Sequence, residues 1–289
     1  MGTGAGQNLR LQSAMEYLMT YGWSILIVAL VLVSLFGLGF FNSANFLPKV
    51  TAGACSVYRT VQGINLEGQC NNELPQFTAQ FSGSGSWVLV SQSRNLNASY
   101  ITLAAWVDPS SYGCSSDHCI IVNKENQYEI AMADGSGYLH AAFDTAWAWY
   151  GPSIPLPIGQ WSFVAVTWDG TTQRYYIDGN LEYSLNAGSG PINPTSNCLR
   201  IGARGGCSST SSLFPGGIAD VQIYNTSLSA NEIYSLYVSG IGGVPISPEY
   251  IVAWWPLNGN AQDYSGNANN GVASGISYVS SWTREYNIP

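Results

Sequence analysis

The most constraining feature of this sequence is the stretch from residue 161 to residue 185, which reads WSFVAVTWDGTTQRYYIDGNLEYSL. Its three apolar and aromatic runs are separated by Asp169-Gly170 and Asp178-Gly179, and an Asp-Gly pair between such runs is a strong β-hairpin signal. In the first run both alternating faces are largely apolar, which is typical of an inner strand packed on two sides. The stretch therefore predicts a three-stranded antiparallel unit inside a layered β-fold.

Short strand signals continue on both sides of this unit, from Pro75 onward. Examples are FTAQFSG and SWVLVS around a Gly/Ser turn, and SYITLAAWVDP, which ends at Asp108-Pro109. Residues 216–237 read as a strand followed by a short amphipathic helix, which begins near Ser229 with Glu232 three residues on, as in a capping box. Many short strands with regular turns predict an all-β sandwich or jelly roll.

The charge composition excludes one class of partner. Charged residues make up only 9% of the chain, and its formal net charge is -8. Proteins that bind nucleic acid carry basic patches, so we expect no nucleic-acid partner. An acidic, lysine-poor surface suits an exported protein instead.

A long apolar run near the N-terminus extends from Trp23 to Phe41 with two serines as its polar breaks. A helix needs about 20 residues to cross a bilayer, so the sequence predicts one long N-terminal transmembrane helix over residues 12–46. A cleavable secretory signal has a shorter apolar core of about 7 to 15 residues, which favours a retained helix. Glu16 must then stay at the water edge or find a partner, because a charge in hydrocarbon costs several kcal/mol.

Residues 12–39 read QSAMEYLMTYGWSILIVALVLVSLFGLG and resemble the N-terminus of archaeal type IV pilin-like proteins with a class III signal peptide. The resemblance implies a leader over residues 1–11 and a cut between Leu11 and Gln12. Glu16 would be the fifth mature residue and would pair with the N-terminal amine of a neighbouring pilin-like subunit. Leu11 departs from the family, which usually has Gly before the cut, so an uncleaved signal anchor stays open, with Glu16 favoured at the helix N-terminus.

The six cysteines are arranged as three local pairs, and such pairs in an exported chain predict disulfides. The pairs are Cys55 with Cys70, Cys114 with Cys119, and Cys198 with Cys207. Metal binding is the alternative, but no Cys-x-x-Cys spacing or nearby histidine pair supports a zinc site. Disulfides place the chain after the helix outside the cell membrane, with residues 47–75 as a linker or stalk. The sequons at Asn97 and Asn225 permit surface glycosylation.

Five further pieces of the chain carry a second resemblance. They are ITLAAWVDP, IIVNKENQYEIAM, GQWSFVAVTWDGTTQRYYIDGNLEYS, LRIGAR and GGIADVQIYNTSLSANEI. Together they resemble the laminin-G-like, concanavalin A-like jelly roll over roughly residues 76–237. The resemblance implies an all-β jelly-roll sandwich, and we assign residues 76–289 to this domain.

Residues 251–275, IVAWWPLNGNAQDYSGNANNGVASG, are similar to the opening strand and loop of the same family, although here they come last. Either the domain is circularly permuted, with residues 251–285 supplying the family's first strand, or a second domain begins. The 39 residues from 251 to 289 are too few for another sandwich, and an orphan strand would expose an edge, so we expect permutation. Trp254 and Trp255 alternate, so one should be buried and the other should face outward or lie under a loop.

The segment DYSGNANNG offers hard oxygen ligands of the kind that calcium prefers. Asp263, Asn267 and Asn269 lie in this Gly-rich loop. Related domains commonly hold one calcium with such a loop and an Asp from a late strand, which would be Asp220 here. The resemblance therefore implies one Ca²⁺ as a cofactor. The alternative is an Asx-rich turn that satisfies its own backbone.

The segment AWAWYG places Trp147 and Trp149 on one face of a strand. An aromatic face with a polar rim is a common platform for a sugar. The alternative is that both rings fill the core, as large aromatic side chains usually do.

Catalytic groups are sparse in this sequence. Glu125 and Glu129 could form the carboxylate pair of a glycoside hydrolase, but Glu125 falls in the polar NKEN turn, so we expect no enzyme. The function most consistent with the sequence is a membrane-anchored, pilin-like surface protein for adhesion or recognition of surface glycans. Two alternatives stay open: a structural pilus or surface-layer component without ligand, and a carbohydrate-active enzyme.

Overall fold

The computed structural model describes residues 21, 23–33, 57–59, 66–68, 75–114, 116–145, 148–282, 286 and 289. The chain forms two units, residues 1–50 and residues 51–289. In the first unit, residue 21 and residues 23–33 (α1) are helical. Within the described part, no helix is long and apolar enough to cross a membrane. The predicted transmembrane helix over residues 12–46 is therefore not confirmed, and much of it lies outside the described residues.

The described part of the second unit contains sixteen strands and the helix α2 (Ala230–Ser239). Strands β1 (Val57–Arg59) and β2 (Leu66–Gly68) form a two-stranded sheet. The other strands, in chain order, are β3 (Thr78–Ser82), β4 (Trp87–Val90), β5 (Ile101–Pro109), β6 (His118–Lys124), β7 (Tyr128–Ala133), β8 (Leu139–Phe143), β9 (Ser162–Trp168), β10 (Thr172–Ile177), β11 (Asn180–Asn186), β12 (Leu199–Ile201), β13 (Pro215–Tyr224), β14 (Ile251–Trp255), β15 (Gly271–Ser274) and β16 (Ser277–Val279).

Strands β3 to β16 form two antiparallel sheets. The larger sheet has eight strands in the order β11-β10-β9-β5-β13-β3-β16, with β14 also paired to β13. The smaller sheet has six strands in the order β15-β4-β12-β6-β7-β8. Apolar side chains of both sheets, such as Val88, Ile130, Val166 and Ile218, form the core between them. The chain is thus an all-β, jelly-roll-like sandwich, as the sequence predicts.

The unit around residues 161–185 has the structure that its sequence predicts. Strands β9, β10 and β11 are consecutive antiparallel neighbours. Asp178 and Gly179 have φ angles of 48° and 76°, as the two central residues of a type I′ turn require. The carboxylate of Asp178 also accepts a hydrogen bond from the backbone N–H of Phe163 at 2.8 Å. This bond joins the turn to the start of β9.

The C-terminal tail is part of both sheets. Strand β14 pairs with β13, β15 with β4, and β16 with β3. The tail therefore packs within the sandwich, as expected, whereas its role as the family's first strand stays a prediction. Trp254 and Trp255 are 1% and 0% exposed. Trp255 faces the core, and Trp254 faces the opposite side beside the loop residue Tyr264, so neither ring faces solvent.

A second apolar cluster lies on the outer face of the larger sheet. Helix α2 contributes Ile233 and Leu236 to it, and β14 contributes Trp254. The helix begins with the predicted capping box, in which Ser229 and Glu232 each accept a hydrogen bond from the other's backbone N–H. This cluster covers the face of the larger sheet that points away from the core.

Two of the three predicted disulfides are present, Cys114–Cys119 and Cys198–Cys207. Cys55 and Cys70 lie outside the described residues. The same holds for Leu11, Gln12 and Glu16, for the leader over residues 1–11, and for most of the linker over residues 47–75. The predictions made for these residues therefore stay predictions.

Candidate functional site

Strand alternation decides which side chains of the smaller sheet face outward. In β7, Ile130 and Met132 face the core, so Glu129, Ala131 and Ala133 point to the opposite side. Strand β7 is paired with β6 on one side and with β8 on the other. Its outward residues therefore lie among polar side chains from three strands, and this outer face is the candidate site.

Two histidines meet above the small side chains of β7. His118 of β6 is paired with Ala133, and His140 of β8 is paired with Ala131. Because both positions between them are alanine, the two imidazoles can reach across the strand. Nε2 of His118 lies 3.1 Å from Nδ1 of His140, and the ring centroids are 5.4 Å apart. The two rings are within hydrogen-bond distance of each other.

Trp149 lies flat on one of these histidines. Its ring centroid is 3.9 Å from that of His118, and the two planes are inclined by only 15°. The next residue, Tyr150, forms an isolated bridge with Ala141 of β8 and packs against the core, so alternation turns Trp149 outward. Trp149 is half-buried, and part of its ring is therefore available to a ligand.

Both histidines are neutral near neutral pH. Burial is the largest cause that lowers the pKa of His118 to about 4. His140 and Arg204 lower this pKa further, whereas Asp117 and Asp134 raise it. Burial also lowers the pKa of His140 below its usual value. Each imidazole therefore offers one N–H donor and one acceptor nitrogen.

A second group of polar side chains surrounds Arg204, in the loop after β12. Its Nε lies 3.4 Å from Oε2 of Glu125, and its Nη2 lies 3.2 Å from Oε1 of Glu129. The exposed fraction of the side chain is 37% for Arg204, 23% for Glu125 and 0% for Glu129. Burial raises the pKa of Glu129 to about 7, although Arg204 acts in the opposite direction. Arg204 thus joins a buried carboxyl group to a solvent-facing carboxylate.

The loop that carries Arg204 is closed by the Cys198–Cys207 disulfide. Arg204 forms an isolated bridge with Ser211, and the N–H of Gly205 donates a hydrogen bond to Oδ1 of Asn123 in β6 at 3.0 Å. Gly205 has a φ of 130°, a conformation that glycine adopts readily. The loop is therefore fixed on the outer face of β6.

The structure brings together one predicted site residue and three that the sequence analysis missed. Trp149 lies on the outer face, and Trp147 lies outside the described residues. His118, His140 and Arg204 were not assigned to a site. Each histidine alternates with core residues of its own strand, so this alternation could have shown that both face outward. A ligand role for Trp149 stays a prediction.

The predicted calcium loop is organised by hydrogen bonds from its own backbone. Oδ1 of Asp263 accepts from the N–H of Trp254 at 3.0 Å and of Ser265 at 2.8 Å. Oδ2 accepts from the N–H of Asn269 at 2.8 Å. This is the arrangement of an Asx-rich turn, in which the carboxylate satisfies backbone donors.

The other predicted calcium ligands are also directed at protein groups. Oδ1 of the buried Asp220 accepts from the indole N–H of Trp254 at 2.6 Å, and Oδ2 accepts from the amide of Gln222 at 3.0 Å. Burial raises the pKa of Asp220 to about 7, while these two bonds act in the opposite direction. Asn267 and Asn269 donate their side-chain amides to a backbone carbonyl. Because N–H donors already point at both carboxylates, this donor set does not fit calcium, which needs several oxygen ligands facing the ion.

The two predicted glycosylation positions differ in exposure. Asn225 is exposed just after β13, whereas Asn97 is half-buried at the end of a short 3-10 helix, Arg94–Leu96. Modification of either residue stays a prediction. Asn225 is the better placed of the two, because its side chain reaches solvent.

The carboxylate pair considered for hydrolysis does not form an accessible pair. Glu125 lies in the turn between β6 and β7, as the sequence indicates, while Glu129 is fully buried. A hydrolytic pair must reach both sides of a sugar bond, and a side chain without solvent access cannot do so. Glu125 and Glu129 therefore pair with Arg204 and do not flank an open cleft.

Several solved structures are similar to this chain at low sequence identity. A proposed carbohydrate-binding protein from Bacteroides ovatus has a TM-score of 0.58 and 20% identity, over 80% of this chain and 70% of that one. The heptameric SAP-like pentraxin from Limulus polyphemus has a TM-score of 0.48 and 13% identity, over 70% and 94% of the two chains. The CBM40 domain of the Ruminococcus gnavus IT-sialidase, bound to alpha2,3 sialyllactose, has a TM-score of 0.45 and 12% identity, over 55% and 95%.

The sequence itself matches one family model. No curated protein matches the chain, but the Laminin_G_3 model matches residues 82–234. The matched segment runs from the end of β3 into α2 and includes His118, His140, Trp149 and Arg204. Because the match covers more than half of the sequence, this chain belongs to the concanavalin A-like lectin/glucanases superfamily.

Proposed function

We propose that this protein recognises carbohydrate, and that its glycan site is the outer-face cluster, defined as His118, Glu125, His140, Trp149 and Arg204. The observation that carries the proposal is the position of Trp149. Its ring lies flat against His118, and the residue is still partly exposed. Ligand sites combine such apolar faces with a few placed polar groups, and the apolar face of a sugar ring can stack on an indole.

Arg204 and Glu125 lie on the same outer face, towards the end of β6 opposite to His118, and suit the hydroxyl groups of a sugar. Arg204 and Glu125 are both partly exposed and lie 3.4 Å apart, so they offer a donor and an acceptor side by side. Two neighbouring sugar hydroxyls can bond to such a pair, one as acceptor and one as donor. Neutral His140 adds a ring that can donate or accept a hydrogen bond. No part of this arrangement requires a metal ion.

The family name includes lectins, which agrees with a carbohydrate ligand. The Bacteroides ovatus protein is described as a proposed carbohydrate-binding protein, but a likeness at 20% identity concerns the fold alone. The proposal therefore rests on the outer-face cluster of this chain.

The proposal includes a place at the cell surface. It is supported by the apolar run over residues 23–41 and by the pilin-like pattern over residues 12–39. In this setting the partners are the membrane, pilin-like subunits and surface glycans. Fractionation of cells that express the full chain tests it, and recovery of the chain outside the membrane and surface-filament fractions would contradict it.

A glycan array probed with the full chain in detergent tests the function. We expect a restricted set of glycans to bind, and we expect Trp149→Ala to lose that binding. Tyr250→Ala is the matched control, because Tyr250 is 44% exposed and lies at the start of β14 in the other sheet. A folded wild-type protein that binds no glycan would favour the alternative of a structural surface component.

A further inference from the structure

The contact between His118 and His140 is end-on. The nitrogens are 3.1 Å apart and the ring centroids 5.4 Å apart, so the facing nitrogens lie close to the line between the ring centres. Such a contact is a hydrogen bond only when one nitrogen carries a proton and the other does not. One added proton goes to an outward-facing nitrogen and leaves this bond in place, because the neutral partner ring still presents a bare nitrogen. Only when both imidazoles are charged does an N–H face an N–H, and the two rings would then have to separate.

The end-on geometry is not that of a shared metal ion. Two histidines that bind one ion direct their nitrogens at a third point, whereas these nitrogens point at each other. Within the described residues, the one group of three or more potential metal ligands is Cys114, Cys119 and Asp134. Its two cysteines are joined in a disulfide, and neither histidine belongs to it.

The charges around the pair are consistent with two neutral rings that hold one proton between their facing nitrogens. Asp117 and Asp134 favour a further proton on His118, while Arg204 and His140 oppose it. Burial, the largest influence on both rings, also opposes a charged imidazole. Both imidazoles are therefore neutral at neutral pH, with one proton between their two facing nitrogens.

The plane of His118 in turn supports Trp149. The two rings are nearly parallel, at 15° and 3.9 Å, so a rotation of the imidazole would remove the surface on which the indole lies. The hydrogen bond to His140 fixes the plane of the His118 imidazole. The indole of Trp149 stacks on this ring and is therefore held parallel to it. The three rings thus form a chain from a proton-binding pair to the exposed aromatic surface.

We propose that His118 is a positioning residue that holds Trp149 in place through the proton that lies between its Nε2 and Nδ1 of His140, and that charging both imidazoles releases Trp149. The release makes glycan binding sensitive to acid, and this consequence rests on the proposed function. The movement of Trp149 itself does not depend on any ligand.

NMR on protein labelled with ¹⁵N only at histidine reports on this pair alone, because the chain contains only two histidines. We measure the imidazole ¹⁵N shifts of the full chain against pH, together with the indole N–H signal of Trp149, assigned with Trp149→Phe. We expect a coupled titration in which His118 gains its proton last, near its pKa of about 4, because His140 is one of the groups that lower this pKa. We expect the Trp149 signal to shift at that last step. Two independent titrations near the usual pKa, about 6.5, or an unmoved Trp149 signal would overturn the proposal.

Two substitutions separate positioning from a general structural role. His118→Phe keeps a stacking ring but cannot titrate, whereas His118→Ala removes the ring. For a glycan identified on the array, we expect affinity to fall about three- to tenfold in His118→Ala, the range of one aromatic contact. We expect His118→Phe, which lacks the bond to His140, to bind more weakly than the wild type at neutral pH but more tightly than His118→Ala, and to lose the acid dependence. A wild-type pH profile in His118→Phe would overturn the proposal.

Failure of the proposed function gives a different result. In that case no glycan binds at any pH, while the coupled histidine titration and the shift of Trp149 are still observed. If binding is present but the histidines titrate independently, glycan recognition stands and the positioning role of His118 is wrong.

Discussion

The indole N–H of Trp254 donates a hydrogen bond of 2.6 Å to Oδ1 of Asp220 and thereby joins the C-terminal tail to the longest strand of the larger sheet. Asp220 lies at a break in the β13 register and has a φ of 50°. Its other oxygen accepts from Gln222, which in turn accepts from the hydroxyl of Tyr224 at 2.6 Å. A buried carboxyl group therefore lies at the centre of the contact between tail and body.

This carboxyl group should make the fold less stable as the pH rises. The pKa of Asp220 is about 7 in the folded protein against an ordinary 3.8, so its proton stabilises the fold fully below about pH 4. That contribution is lost as the pH rises through about 7, and it is on the order of a few kcal/mol. We expect the urea concentration at the unfolding midpoint to decrease when the pH is raised from 5 to 8. We expect a smaller decrease in Asp220→Asn.

Glu129 acts in the same direction, because burial also raises its pKa to about 7. Glu129→Gln should therefore remove a separate part of the pH dependence, and the two effects should add, since the residues lie on different sheets. An Asp220→Asn protein whose midpoint falls as much as that of the wild type would show that Asp220 is not the buried acid responsible.

Gly151 should be required for the loop that presents Trp149. A Cβ atom at this position would overlap the backbone carbonyl of Leu139 and would lie 2.8 Å from Cδ2 of His140. We expect Gly151→Ala to cost about 1–3 kcal/mol of stability and to weaken glycan binding further. Gly113→Ala is the matched control, because a Cβ there meets nothing within 4 Å. Equal stability and binding in the two variants would contradict this assignment.

Calcium should not change the stability of this domain. Both oxygens of Asp263 already accept backbone N–H bonds, so we expect the same melting midpoint in excess calcium and in excess chelator. Asp263→Ala should lower the midpoint under both conditions, because it leaves buried backbone donors unsatisfied at about 1–3 kcal/mol. A midpoint that rises with calcium in the wild type and stays constant in Asp263→Ala would restore the predicted calcium site.

Local signals in the sequence predicted much of the fold. The Asp178-Gly179 turn, the capping box at Ser229 and the doubly apolar strand around Val166 each specify their own structure within a few residues. Pairings between distant segments were harder to predict. The Gly/Ser turn between Ser82 and Trp87, for instance, joins two different sheets, and nothing in its residues distinguishes such a crossover from a hairpin.

The site depends on contacts that no single segment contains. His118 and His140 are 22 residues apart and meet because two alanines of β7 lie between them. Arg204 reaches Glu125 through a loop that is closed by its own disulfide. Trp149 was predicted because alternation in AWAWYG places it with Trp147 on one face of an expected strand. The partners that orient Trp149 become evident only from the sheet register.

The most direct test of the account is the calorimetric affinity of the full chain for its best array glycan, compared among wild type, Trp149→Phe and Trp149→Ala. We predict that Trp149→Ala binds about tenfold more weakly or worse, since it loses the stacking contact, and that Trp149→Phe lies between the two. All three proteins should show the same cooperative unfolding, which confirms an intact sandwich. Equal affinity in wild type and Trp149→Ala would contradict the claim that the outer-face cluster is the glycan site.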